Sequence, residues 1–321
     1  MASIMYRYRS ASASAAETNG DNDVNRSTPQ TGPFFADPAL VAFGDSFYLY
    51  PTTDGNENWD SDNFRVLGSR DLREWTDLGE VLRLGRDVPW ADRNAWAPAA
   101  AYRNGLYYFY FTADDNIGVA VATSPTGPFI DSGAPIVSRG QFAGRAIDPA
   151  VFVDDDGTSY LIWGNTVAHI ARLRNDMVSI DLDSVTDWEH PTFREAAHIH
   201  RRGDLYYLTW SENDTRDPAY RVRWATGENP FGPWTERGVL LEQSPADGIF
   251  ATGHHSILRV PGTDEWLIAY HRFAVPDGDG FHREIVIDEL THLPSGDLSP
   301  VRTSADSIRL TQPALPETLD T

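Results

Sequence analysis

Three carboxylates stand at matching places in a repeated pattern. Asp37, Asp148 and Glu195 each precede a short apolar run, a glycine-containing turn and an aromatic anchor about twelve positions on: Tyr48, Tyr160 and Tyr207. Trp96 before Tyr108, and His254 before Trp266, complete a set of five. An aspartate before a proline, as in Ala36-Asp37-Pro38 and Ile147-Asp148-Pro149, ordinarily serves a turn. Three acids at one offset of one repeat point to shared chemistry instead. Carboxylates brought together repel, so at least one pKa rises and that group holds a proton. A protonated acid for the leaving oxygen and an ionised base on the opposite face are the equipment of glycosidic-bond hydrolysis.

The elements that position these residues read as hairpins. Residues 150–153 form a short apolar strand, Asp156-Gly157 gives a two-residue turn signal, and residues 159–163 return. Pro149 pushes Asp148 towards an extended backbone and suits the start of an edge strand. The pattern recurs around Gly44-Asp45, Asn104-Gly105, Gly203-Asp204 and Pro261-Gly262, with anchors roughly 47 to 60 residues apart. Further β-rich segments, such as 64–68, 118–123 and 220–226, follow each hairpin. The prediction is an all-β chain, a five-bladed β-propeller with about four antiparallel strands per blade. Equal offset then means equal place, and the five residues meet at one mouth of the central channel. In the third unit, 169–173 and 177–181 read as outer strands, while 183–193 has no assignment. Residues 1–32, rich in Ser, Ala, Asn and Asp, read as a disordered leader. The propeller spans 33–314, and 315–321 is a frayed tail.

Composition narrows the partners. The net charge is −21, and every basic side chain is Arg. Phosphate recognition needs a basic surface, so nucleic acid and anionic membranes are excluded as partners. Dense carboxylates also raise the expectation of adaptation to high salt, where screening relieves their repulsion. There is no Cys, which removes disulfide and thiolate chemistry. No apolar run reaches the length of a membrane helix. The first ten residues lack the apolar core of a secretory signal, so the chain as written reads as cytoplasmic, or secreted if a signal has been removed.

The motifs Ala36-Asp37-Pro38, Trp96-Ala97-Pro98, Ile147-Asp148-Pro149, Glu195 with Tyr206-Tyr207-Leu208, and Thr252-Gly253-His254 resemble glycoside hydrolase family 43, in order, over roughly residues 33 to 305. The resemblance implies a five-bladed propeller that hydrolyses arabinose- and xylose-containing plant cell-wall glycans with inversion. It implies Asp37 as general base, Glu195 as general acid, and Asp148 as the group that raises the pKa of Glu195 and orients it. It implies no cofactor for the chemistry, with a structural calcium ion at the axis touched by His254 through water. Arg283 matches an arginine that reaches the sugar and the carboxylates. Trp96 reads as a wall for a sugar face, Asn165 and Arg145 as pocket residues, and Trp59 and Trp90 as further platform. The sequence departs from the family pattern at Ala196-Ala197, where glycine usually follows the acid. Glu189 and Glu212 are alternative acids without the right offset.

The expected activity is release of terminal α-L-arabinofuranosyl units from arabinan or arabinoxylan fragments. β-Xylosidase comes next, then endo-arabinanase, then a non-catalytic carbohydrate-binding propeller. A retaining fructan-type hydrolase would hold its carboxylates about 5 Å apart; an inverting pair needs about 6.5–9.5 Å.

Overall fold

Short runs of β-branched and aromatic residues, punctuated by Gly, Asn and Asp, fold here into hairpins, and the hairpins extend into blades. The computed structural model describes residues 33–311. The leader assigned to 1–32 and the tail assigned to 315–321 lie outside the described residues.

Blade one contains β1 (Phe34–Phe43), β2 (Ser46–Asp54), β3 (Asn63–Ser69) and β4 (Glu74–Arg83). Blade two contains β5 (Trp96–Arg103), β6 (Leu106–Ala113), β7 (Asn116–Ala122) and β8 (Ile130–Asp131). Blade three contains β9 (Ala150–Val153), β10 (Ser159–Trp163), β11 (Ala168–Arg172) and β12 (Thr186–Trp188). Blade four contains β13 (Glu195–Arg202), β14 (Leu205–Glu212), β15 (Arg221–Gly227) and β16 (Thr235–Leu241). Blade five contains only β17 (Gly253–Arg259), β18 (Trp266–Phe273) and β19 (Arg283–Glu289). A final strand, β20 (Arg309–Thr311), pairs in parallel with β4 on the rim of blade one. The first strand of each blade is innermost and neighbours its counterparts around a ring. The protein is a five-bladed β-propeller.

Three details qualify the expectations. About four strands per blade holds around the ring, with five in the sheet of blade one and three in blade five because the last strand crosses to blade one. The outer strand of blade three is β12, inside the unassigned stretch; 177–181 contributes only an isolated bridge, Leu173 to Ile180. The Asp156-Gly157 hairpin is wider than two residues, since Val153 pairs with Ser159. Gly44-Asp45, Asn104-Gly105 and Gly203-Asp204 are true two-residue turns.

The core lies between blades. Phe64, Phe109 and Phe111 fill the gap between blades one and two. Tyr110, Leu161 and Trp163 fill the next, and Ile162, Leu208 and Trp210 the one after. Tyr207, Trp224 and Tyr270 join blades four and five, and Leu49, Trp75 and Ile285 close the ring. Truncating one such buried aromatic costs about 3–5 kcal/mol, so the blades are fixed relative to one another.

One irregularity repeats and decides where the chemistry sits. On the inner strand the register skips between Ala36 and Ala39, Trp96 and Ala99, Glu195 and His198, and Gly253 and Ser256. These are bulges, which re-aim side chains at a strand end. The bulged residue in each blade is Asp37, Ala97, Asp148, Ala196 or His254, with φ of 50°, 42°, 58°, 56° and 45°. The extended backbone expected for Asp148 is therefore not what forms; the bulge imposes a left-handed residue before Pro149. Equal offset also fails to mean equal place. Trp96 and Glu195 stand one residue earlier than Asp37, Asp148 and His254, because the hairpin loops differ in length and the anchors shift by one.

The N–H of each bulged residue is clasped across the blade boundary. Ala97 donates to Thr52 Oγ1 at 2.7 Å, Asp148 to Thr112 Oγ1 at 3.0 Å, and His254 to Ser211 Oγ at 2.9 Å. Asp37 donates to His271 Nδ1 at 3.3 Å, closing the ring from blade five to blade one. In blade three the matching position is Gly164, whose N–H pairs with Ile147 and which has no side chain to offer. There the Asp148 carboxylate takes over, with Oδ2 accepting the Ala196 N–H at 3.2 Å.

Candidate active site

The bulges open onto a cavity of about 170 Å³ at one mouth of the channel. Asp37, Asp148, Glu195, Trp96, His254, Arg283 and Arg145 all line it, so the structure brings together seven of the eight predicted site residues. The eighth, Asn165, lies buried behind Glu195 and bonds its carboxylate without lining the cavity.

Asp37 is 6% exposed. Its Oδ1 lies 3.0 Å from His271 Nδ1, 3.3 Å from His254 Nδ1 and 3.4 Å from Arg283 Nη1. Burial alone would raise its pKa, but His254, Arg283 and His271 outweigh burial and hold it well below the usual aspartate range. Burial lowers both imidazoles, His271 to about 4. The permanent positive charge is Arg283. That guanidinium is 3% exposed, forks onto Asp54 through Nε at 2.8 Å and Nη2 at 3.0 Å, and spends Nη1 on Asp37 and Thr215.

Asp148 and Glu195 have the opposite character. Asp148 is raised well above the usual range, by burial first and then by the charges of Glu195 and Asp37. Glu195 is raised too: burial dominates, and hydrogen bonds and charge from Tyr220 and Arg194 only partly offset it. Its Oε2 accepts Asn165 Nδ2 at 2.9 Å and its Oε1 accepts the Tyr220 hydroxyl at 2.9 Å. Two buried carboxylates this close hold one proton between them. The cavity therefore contains one firmly ionised acid and one protonated pair, a separation of roles set by environment.

Tryptophans shape the rim. Trp96 donates Nε1–H to the Trp59 carbonyl at 2.6 Å, and the Arg145 guanidinium carbon sits 5.6 Å from its ring centre. Arg145 is itself tied to Asp115 at 2.6 Å. Trp59 is wedged between Phe281, at 4.7 Å between ring centres, and Arg216, at 5.3 Å. Trp90 is not a platform: it stacks on Phe111 at 5.9 Å and donates to Asp131, inside the fold. Neither alternative acid reaches the cavity. Glu189 is exposed elsewhere, and Glu212 is paired with Arg221 and Arg223. His255 turns away from the cavity, with Nε2 at 2.6 Å from Thr209 Oγ1.

The sequence reading missed Tyr220, His271, Asp54, Arg194 and the run Asp214-Thr215-Arg216. His271 had a signal, since Thr52, Thr112, Ser211 and His271 recur near the end of each second strand. Tyr220 and the run 214–216 had none, because they lie in a connection that the other blades do not repeat.

Among the described residues one group could converge on a cation: Asp148, Glu195 and His254, whose ligand atoms lie within 4.8 Å of one another. Calcium takes six to eight oxygens. Two carboxylates already engaged by Ala196, Asn165 and Tyr220, plus an imidazole nitrogen, do not fit calcium as direct ligands.

Comparison with known proteins agrees with this geometry. The model of the family "Glycosyl hydrolases family 43" matches residues 28–297. A β-D-galactofuranosidase of Aspergillus niger is 30% identical, over 86% of this chain and 84% of its own. A xylosidase/arabinosidase of Bacteroides ovatus is 31% identical, over 81% of this chain and 93% of its own. A solved β-xylosidase/α-arabinofuranosidase from a compost metagenome, in a calcium-free complex with xylotriose, is 30% identical. It covers 84% of this chain and 94% of its own, with a TM-score of 0.71.

Proposed function

Since this chain belongs to glycosyl hydrolase family 43, we propose that it releases single terminal α-L-arabinofuranosyl units from arabinan or arabinoxylan oligosaccharides, with inversion. The observation that carries this reading is the opposed pair of environments in one cavity: Asp37 is held well below the usual range, while Asp148 and Glu195 are both raised and share a proton that this reading places on Glu195. Asp37 takes a proton from water as that water attacks the anomeric carbon. Glu195 gives its proton to the departing glycosidic oxygen as the bond breaks, and Asp148 keeps that proton in place by its own negative charge. Arg283 and His254 hold Asp37, and Trp96 offers an apolar face to the sugar ring. The unit responsible is the propeller of residues 33–314. No cofactor enters the scheme. An axial calcium near His254, if bound, would be held through water and would take no part in a step.

The cavity of about 170 Å³ and the rim of Trp59, Trp96 and Arg145 support single-unit release. A groove for internal cleavage would be open at both ends, which disfavours the endo-arabinanase reading. β-Xylosidase action is the second reading, favoured by the relative that binds xylotriose. A panel of 4-nitrophenyl arabinofuranoside, xylopyranoside and galactofuranoside separates them, with the arabinofuranoside expected to show the highest kcat/KM. Proton NMR of the first anomer released tests inversion; net retention would require Asp37 to be a nucleophile instead. A non-catalytic propeller would leave every glycoside intact.

A further inference from the structure

The general acid is held from behind by a residue outside the repeat. Tyr220 is fully buried, and its ring lies flat against His271 with centres 5.6 Å apart and planes 10° apart. Its hydroxyl reaches Glu195 Oε1 at 2.9 Å, while Asn165 Nδ2 reaches Oε2 at 2.9 Å. In the first bond the Tyr220 hydroxyl is the donor. Ser211 Oγ accepts the His254 N–H at 2.9 Å, and a backbone N–H can only donate. The Ser211 hydroxyl is thereby free to donate to Tyr220, and the Tyr220 hydroxyl to Glu195. Both rear lone pairs of the Glu195 carboxyl are then occupied by donors, and the transferable proton has only the positions that face the cavity.

A second observation is independent of this hydrogen bond. Gly253 does not need its glycine for backbone freedom, since its φ is not among the positive ones. It needs it for space: a methyl group built there would overlap Cε1 and Cδ1 of the Tyr220 ring. The glycine of Thr252-Gly253-His254 is thus the seat of Tyr220.

We propose that Tyr220 is a positioning residue for the general acid, aiming the Glu195 proton at the leaving oxygen, and that Gly253 is bare so that its ring can stand there. The proposal rests on the assignment of Glu195 as acid. It also accounts for what happens after proton transfer. The O–H of Glu195 breaks, an O–H forms on the departing alcohol, and the carboxylate left behind is met by two donors already in place. Tyr220 itself stays a neutral phenol throughout, because burial and then the neighbouring Glu195 push its ionisation well above the ordinary tyrosine range.

The test compares leaving groups in the full chain. An arabinoxylan oligosaccharide leaves as an alcohol and needs the proton; 2,4-dinitrophenyl α-L-arabinofuranoside leaves as a stable phenolate and does not. Tyr220→Phe is expected to lower kcat about 10- to 100-fold on the oligosaccharide, the range for one hydrogen bond to a charged group. On the dinitrophenyl substrate the loss should stay under about threefold, with KM little changed on both. Gly253→Ala, which keeps the phenol but displaces its ring, should reproduce the pattern, and melting curves of both variants report whether they fold. Equal losses on both substrates would make Tyr220 merely structural and overturn the proposal. So would an unchanged leaving-group dependence while Glu195→Gln shows a steep one, an outcome that leaves the acid assignment standing. If Glu195→Gln itself shows no leaving-group dependence, the acid assignment fails first and the role of Tyr220 falls with it.

Discussion

Replacing Arg283 by methionine separates a stability role from an electrostatic one in a single variant. The guanidinium is buried, makes two side-chain bonds to Asp54 and one long bond to Asp37, and is the permanent cation among the groups that lower Asp37. Methionine fills much of the volume and removes the charge. Asp54 then stays buried, keeping the N–H of residue 283 but losing its cation. Stranding one partner of a buried pair costs about 3–5 kcal/mol. For a folded unit of about 280 residues the unfolding entropy is on the order of 0.6 kcal/mol per degree, so Tm should fall by about 5–9 °C. The second effect is on pH. With Arg283 gone, one of the groups that oppose burial at Asp37 is lost and its pKa rises. Asp37 must be ionised to take a proton from water, so a higher pKa moves the acid limb of kcat/KM to higher pH. The native acid limb should lie below the ordinary aspartate range, and the variant's limb should lie at higher pH than the native one. The absolute rate also reflects the lost bonds and volume of Arg283, but the position of the limb does not. A variant whose acid limb coincides with the native one would refute the electrostatic account of Asp37.

Four further outcomes follow from the same structure. Asp37→Ala should lower kcat by about 10²–10⁴ while Tm moves little, since Arg283 keeps Asp54; a smaller loss would favour a binding propeller. Thr112→Val removes the acceptor of the buried Asp148 N–H, which should cost about 1–3 kcal/mol and lower kcat by loosening Asp148; unchanged melting would show the clasp to be idle. His198 and His271 are neutral in the fold, burial lowering each to about 4, whereas the unfolded chain takes up their protons near pH 6.5. Stability present above pH 6.5 is therefore lost as pH falls towards 4, by up to about 3 kcal/mol for each, and His198→Phe should flatten the Tm–pH curve. With a net charge of −21, Tm should climb as NaCl rises to 1 M and the Debye length shrinks to about 3 Å; a flat response would make the acidity compositional only.

The ring of five hairpins was legible because its signals are local. Two-residue turns such as Asn104-Gly105 and aromatic anchors such as Tyr108 announce themselves within a dozen residues. The cavity residues on inner strands were legible for the same reason, since repetition turns a local offset into a shared end of the channel. The offset was nonetheless wrong by one at Trp96 and Glu195. Loop length varies between blades, and nothing in the Asp156-Gly157 turn reveals that it is five residues wide. The unrepeated connections were not legible. Tyr220, Thr215 and Arg216 reach the site because of how one loop of blade four lies across the mouth, which is a tertiary outcome. Asn165, read as a pocket residue, lies behind the cavity, where its amide bonds Glu195.

The bulge explains why the departure at Ala196 is tolerated and why Asp148 is where it is. A left-handed residue other than glycine costs of order 1 kcal/mol or more, and the inner ring holds five of them. Glycine after Glu195 would relax that cost, which gives a conformational reason for glycine in the family pattern. Here Ala196 keeps the conformation because Asp148 Oδ2 holds its N–H, in the one blade boundary where Gly164 supplies no hydroxyl. The same carboxylate that satisfies the backbone beside Glu195 also comes within 4.8 Å of a Glu195 oxygen. Asp148 is thus at once the fifth clasp of the ring and the electrostatic neighbour of the acid. A structural vacancy at Gly164 and a chemical requirement at Glu195 are met by one side chain, which is why an asparagine there would keep the clasp and lose the charge.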